Sequence, residues 1–139
     1  MNYGVILKRF CFGKEKKLKG NEQFKAVLSR NFRFSDELLT IYVAENECGY
    51  ARLGVSVSKF LGGAVVRNRL KRLIREAFRR SQAEIPVGFD YVVMISPQWK
   101  NRIGEEVSAV EAARRLGFEQ VRESFLKLVE LAFKNRGGV

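Results

Sequence analysis

Between Gly62 and Arg80 the chain reads GGAVVRNRLKRLIREAFRR, and this run gathers side chains able to hold anions at a regular spacing. On a helix of about 3.6 residues per turn starting at Ala64, Val66, Leu70, Leu73, Ile74 and Ala77 share one stripe with the spacing of a core-facing surface. Asn68, Lys71, Arg72, Arg75 and Arg79 take the opposite face, and Arg67 and Arg69 flank its borders. Glu76 is the only acidic residue between Ala64 and Arg80. A face that needed only solubility would carry mixed charges. This one predicts a grip on a polyanion, through guanidinium forks that match phosphate oxygens.

Other chemistry is missing. The sequence has no His, so a His base, a His metal ligand and a Ser-His-Asp triad are excluded. Neither a GxxxxGK[ST] loop nor a GxGxxG fingerprint occurs. Ser56-Val57-Ser58-Lys59 fits SxxK in form, but SDN and KTG partners are absent and its context is a strand. The acids are scattered, with no spacing that suggests a two-carboxylate or Mg²⁺ site. Cys11 and Cys48 form no CxxC pair, so a zinc site is not expected. The expectation is no catalytic residue, no metal site and no cofactor bound by the protein itself.

The elements that must carry the basic run fit one domain. The chain has 139 residues, 46% hydrophobic, with eleven Phe, enough for a packed core. The net charge is +11, from 26 basic and 15 acidic residues, which agrees with a polyanion partner. Residues 1–17 read as a basic arm. Asn21 is expected to cap a helix running to Ser29, with Phe24, Val27 and Leu28 apolar. Phe32 to Phe34, Leu38 to Ala44 and Ala51 to Ser58 read as strands. The last two are expected to pair as a hairpin through Glu45–Gly49. That pairing sets Thr40 and Tyr42 on one face with Arg52 and Ser56, a surface offering an aromatic ring, hydroxyls and a guanidinium to a single strand. Phe89 to Ile95 reads as a buried, parallel strand, so strand, basic helix and strand form a crossover unit. Glu105 to Leu116 reads as a further helix, and Phe118, Val121, Phe125, Leu128, Val129 and Ala132 line a closing one. No run approaches the roughly 18 apolar residues of a membrane span. No signal-peptide pattern opens the chain, so a cytoplasmic protein is expected.

Arg67-Asn68-Arg69-Leu70-Lys71-Arg72-Leu73-Ile74-Arg75-Glu76, preceded by Gly54-Val55-Ser56-Val57-Ser58-Lys59, resembles the signature of the bacterial ribonuclease P protein subunit. The likeness extends upstream to Leu18–Phe24 and downstream to Gly88–Val93. It implies an α/β (α+β) two-layer sandwich, a mixed sheet of about four strands with three or four helices. That fold is ribosomal protein S5 domain 2-like, with a left-handed βαβ crossover through the basic helix. It implies a protein that binds a catalytic RNA and the 5′ leader of precursor tRNA, the RNA performing hydrolysis with Mg²⁺. Arg67, Asn68, Arg69, Lys71, Arg72, Arg75 and Arg79 are then the residues for the RNA subunit. Phe24, Tyr42, Arg52, Ser56 and Lys59 are those for the leader. The implied partners are ribonuclease P RNA and precursor tRNA, with no membrane and no small-molecule substrate. Leu28, Phe60 and Gly63 depart from the family pattern, and residues 100–117 read as an inserted helix before the last one. The rival readings are a ribosomal or general RNA-binding protein, a membrane-surface helix and a self-sufficient nuclease.

Overall fold

A computed structural model describes residues 16–96 and 109–135. Most of the basic arm, Cys11, the first part of the 100–117 segment and the glycines near the C-terminus lie outside the described residues. The elements run α1 (Gly20–Ser29), β1 (Arg33–Ser35), β2 (Leu39–Glu45), β3 (Arg52–Ser56), a 3-10 turn (Lys59–Leu61), α2 (Ala64–Ser81), β4 (Phe89–Ile95), α3 (Ala109–Arg115) and α4 (Phe118–Asn135). The four strands form one mixed sheet in the order β1-β2-β4-β3. β4 is antiparallel to β2 and parallel to β3. This is the expected α+β architecture of a mixed four-stranded sheet with helices, and β3–α2–β4 is its crossover unit.

The expected β2–β3 hairpin does not form, because β4 lies between its two strands. The reason is solvation. FDYVVMI carries apolar residues on both sides with Asp90 the one exception, and Tyr91, Val92 and Val93 are all 0% exposed, so this strand takes an interior place in the sheet. The expected shared face survives the correction. Tyr42 aligns with Val92 and Val92 with Gly54; Thr40 aligns with Met94 and Met94 with Ser56. Directly paired residues point the same way, so inserting a whole strand leaves the parity unchanged.

The other face of the sheet carries the main core. Leu39, Ile41, Val43, Leu53, Tyr91 and Val93 pack there with Leu70, Ile74 and Phe78 of α2 and Val121, Phe125 and Leu128 of α4. Phe78, Tyr91 and Phe125 meet edge to face at centroid distances of 6.1–6.3 Å. Truncating a fully buried member such as Leu70 to Ala costs about 2–5 kcal/mol. A smaller cluster of Leu18, Val27, Ala44 and Val92 sits under α1 on the opposite face.

Asn21 is not the cap of α1. Lys19 holds that position, and the Gln23 side chain reaches back so that its Oε1 accepts the Lys19 N–H at 2.5 Å. A glutamine in the first turn thus satisfies from inside the helix a donor that a preceding Asn would not reach. Upstream, Leu18 N–H donates to the Leu53 carbonyl, so the chain before α1 extends the sheet beyond β3.

Candidate nucleic-acid interface

The α2 helix buries the stripe its spacing predicts. Val66, Leu70, Ile74 and Ala77 are buried with Phe78 and Ser81, while Leu73 is half-buried. This orientation leaves Asn68, Arg72 and Arg75 exposed, with Arg67 and Lys71 half-buried beside them. Arg67, Lys71, Arg72 and Arg75 form no ion pair with any described residue. Asn68, Arg72, Arg75, Glu76 and Arg79 line a shallow concavity of about 290 Å³. Cations without carboxylate partners, spaced along one rigid helix, can each donate to a phosphate oxygen without first breaking an internal pair. Gly63 offers no side-chain cap to the helix start, and Val65 beside it is 84% exposed.

Two predicted members of this face are committed elsewhere. Arg79 donates to Glu76 through Nε (3.0 Å) and Nη2 (2.5 Å), and Arg80 donates to Glu76 at 3.1 Å. Hydrogen bonds from Arg79, then those from Arg80, hold the Glu76 carboxyl below its ordinary pKa. Arg69 turns to the flank of the helix. Its Nη1 donates to the Ala113 carbonyl and its Nη2 to the Leu116 carbonyl, both at 2.7 Å. Arg69, expected as an RNA ligand, thus spends one donor at each end of its fork on backbone carbonyls within the protein.

The second candidate surface is the sheet face beneath α1. Phe24 lies over Gly54, where an added Cβ would stand 2.6 Å from the ring. Glycine is required at position 54 by this approach, not by its backbone angles. Tyr42 lies across β4 from Gly54, about 9–10 Å away at two strand spacings. Ser56 is exposed in the next row with Met94, and Lys59 is exposed in the 3-10 turn past the end of β3. Phe24, Tyr42, Arg52 and Ser56 thus share one face of the sheet, and Lys59 stands at its end.

Arg52 is present in that surface but is not open. Its Nε and Nη2 each donate to Asp90 at 2.7 Å, and Asn46 Nδ2 donates to the same carboxylate at 2.7 Å. Asp90 is 6% exposed. Hydrogen bonding to Asp90 raises the Arg52 pKa. The pair anchors the loop after β2 to the sheet and leaves the groove's reachable polar chemistry to Tyr42, Ser56 and Lys59. Sequence reasoning missed Asp90, although one acid inside FDYVVMI is a signal in itself: a carboxylate in a buried strand needs a cation. It also missed Met94, which alternation along β4 places on the groove face with Val92 and Asp90.

Among the described residues no group of three or more His, Cys, Asp or Glu is placed to hold a metal ion, and no helix is long and apolar enough to cross a membrane.

Comparison with known proteins points one way. The family model described as Ribonuclease P matches residues 12–131. A ribonuclease P protein component of Brevibacillus brevis is 46% identical over 97 residues, spanning 69% of this chain and 72% of that protein. One from Clostridium kluyveri is 49% identical over 78 residues, spanning 55% and 70%. Among solved structures, the RNase P protein from Thermotoga maritima superposes with a TM-score of 0.68 at 30% identity, covering 83% of this chain and 96% of that one. The RNase P protein of Staphylococcus aureus gives 0.66 at 27% identity, covering 84% and 94%.

Proposed function

We propose, on the premise that this chain belongs to the ribonuclease P protein family, that its two surfaces divide the work of a tRNA-processing endoribonuclease. The chain is an RNA-binding component acting in tRNA 5′ processing. The outer face of α2 docks on ribonuclease P RNA through Arg67, Asn68, Lys71, Arg72 and Arg75. The groove of Phe24, Tyr42, Ser56 and Lys59 takes the single-stranded 5′ leader of precursor tRNA. Hydrolysis is carried by the RNA subunit with Mg²⁺, in the cytoplasm. The protein supplies position and charge.

The observation that carries this reading is the row of unpaired cations on α2, fixed by a helix whose other side is locked into the core. Phosphate contacts fix register and orientation, and cations spaced along a rigid helix suit that task. If the four basic residues of this face neutralise phosphates, the affinity should fall with a log–log salt slope of roughly −3 to −4. Screening RNA charge should also lower the Mg²⁺ concentration at which the complex works.

The test is reconstitution with ribonuclease P RNA at low Mg²⁺, scored for leader removal. Wild-type protein should stimulate cleavage. The triple variant Arg67→Ala, Arg72→Ala, Arg75→Ala should fold and fail to stimulate, because these side chains lie off the buried stripe. Full stimulation by that variant refutes the docking assignment. Equal binding of precursor and mature tRNA by the complex would refute the leader groove and favour a general RNA-binding protein.

A further inference from the structure

The short helix α3 has no part in either surface described so far, yet it packs against both α2 and the 3-10 turn that carries Lys59. Its burial pattern is one-sided. Ala112, Ala113 and Leu116 are buried in the main core, while Arg114 and Arg115 are exposed. Arg69 fixes how it sits: the guanidinium fork spans the carbonyls of Ala113 and Leu116 at the C-terminal end of α3. Carbonyls at a helix C-terminus carry partial negative charge, and a guanidinium is suited to cap them. The same contact brings the end of α3 to the flank of the basic face, one turn from Arg72.

We propose that α3 is an accessory RNA-binding element, in which Arg114 and Arg115 extend the cationic face of α2 and Arg69 is the residue that positions them. The inference rests on the docking role assigned above to α2. Residues 109–117 carry two Arg against one acid, Glu111. Arg115 is paired to Glu111 at 3.2 Å, but the two side chains are 69% and 43% exposed, so water screens the pair and a phosphate can replace it. Arg114 has no ion-pair partner among the described residues. A polyanion fits this patch because α3 packs both on α2, which carries the unpaired arginines, and on the 3-10 turn, which carries Lys59.

The experiment measures binding of the full-length protein to ribonuclease P RNA across a salt series. Arg114→Ala with Arg115→Ala should weaken binding about tenfold and flatten the log–log salt slope by about 1 to 2. Arg69→Lys keeps the charge but cannot fork two carbonyls. It should flatten the slope by a similar amount in the wild-type background, and change nothing further once Arg114 and Arg115 are gone. That non-additivity distinguishes positioning from direct contact. An additive loss would make Arg69 a phosphate ligand and overturn its positioning role. If the Arg114/Arg115 variant binds like wild type while Arg72→Ala with Arg75→Ala loses affinity, the accessory element is refuted and the α2 reading stands. If neither pair matters, the α2 reading itself has failed.

Discussion

The outer face of α2 and the groove beneath α1 are both cationic on paper, and they differ in how their charges are spent. Along α2, Arg67, Lys71, Arg72 and Arg75 have no carboxylate partner among the described residues. In the groove, the one arginine is locked to a nearly buried aspartate at 2.7 Å. A helix face holds its charges in place through the backbone alone, so no internal partner is needed. A sheet face beside a loop needs a tie, and Arg52 provides it. One surface is therefore an electrostatic handle, and the other is a shaped slot with little free charge.

The widest gap between them should appear on removing the tie. Asp90→Ala leaves a partly buried guanidinium and the Asn46 amide without their acceptor, so it should cost about 3–5 kcal/mol in denaturant unfolding. Arg72→Ala should stay within about 0.5 kcal/mol of wild type. Comparable losses for the two would erase the distinction. Next in size, Gly54→Val drives a side chain into Phe24 and Leu18. It should cost about 1–3 kcal/mol and weaken leader binding while sparing affinity for the RNA subunit. A variant that loses both together would mean the two surfaces are not separable.

Smaller still, Arg72→Ala and Arg75→Ala should each lower the salt slope of RNA-subunit binding by about 1 and leave binding of an isolated leader oligonucleotide unchanged. Smallest is Glu76→Gln, which releases Arg79 and Arg80. The native carboxyl is held below its ordinary pKa, so its contribution is present above the unfolded carboxylate pKa, near 4.3. It is lost as pH falls through the lower native value. Wild type should exceed the variant by roughly 0.3–0.5 kcal/mol per pair at neutral pH, and thermal melts should converge near pH 3. A gap that persists in acid would show that Glu76 acts through something other than its charge.

Legibility in the sequence followed the range of the interactions. The existence of α2, most of its buried stripe and its cationic outer face were readable between Ala64 and Arg80, because helical periodicity is local; Phe78 was missed and Leu73 is only half-buried. The closing helix and the β4 strand were readable for the same reason. The groove was legible only in part. Alternation assigned Thr40, Tyr42, Arg52 and Ser56 to one face correctly, yet the pairing of β2 with β3 was wrong, since alternation records parity and not partners. Asn21 looked like a cap because the local rule favours Asn, and Gln23 won by reaching back from within the helix.

From the sequence alone came an amphipathic, arginine-lined helix, the absence of catalytic histidine chemistry and the family these residues resemble. Only the tertiary structure decided that β4 separates β2 from β3, that Phe24 closes over Gly54, and that Arg52 and Arg69 are tied to distant groups while Arg72 and Arg75 remain open. A side chain's type and periodicity are written within a few residues. Whether its charge is free depends on groups that folding brings from 38 residues away for Arg52 and 44 and 47 for Arg69, and no local pattern encodes that meeting.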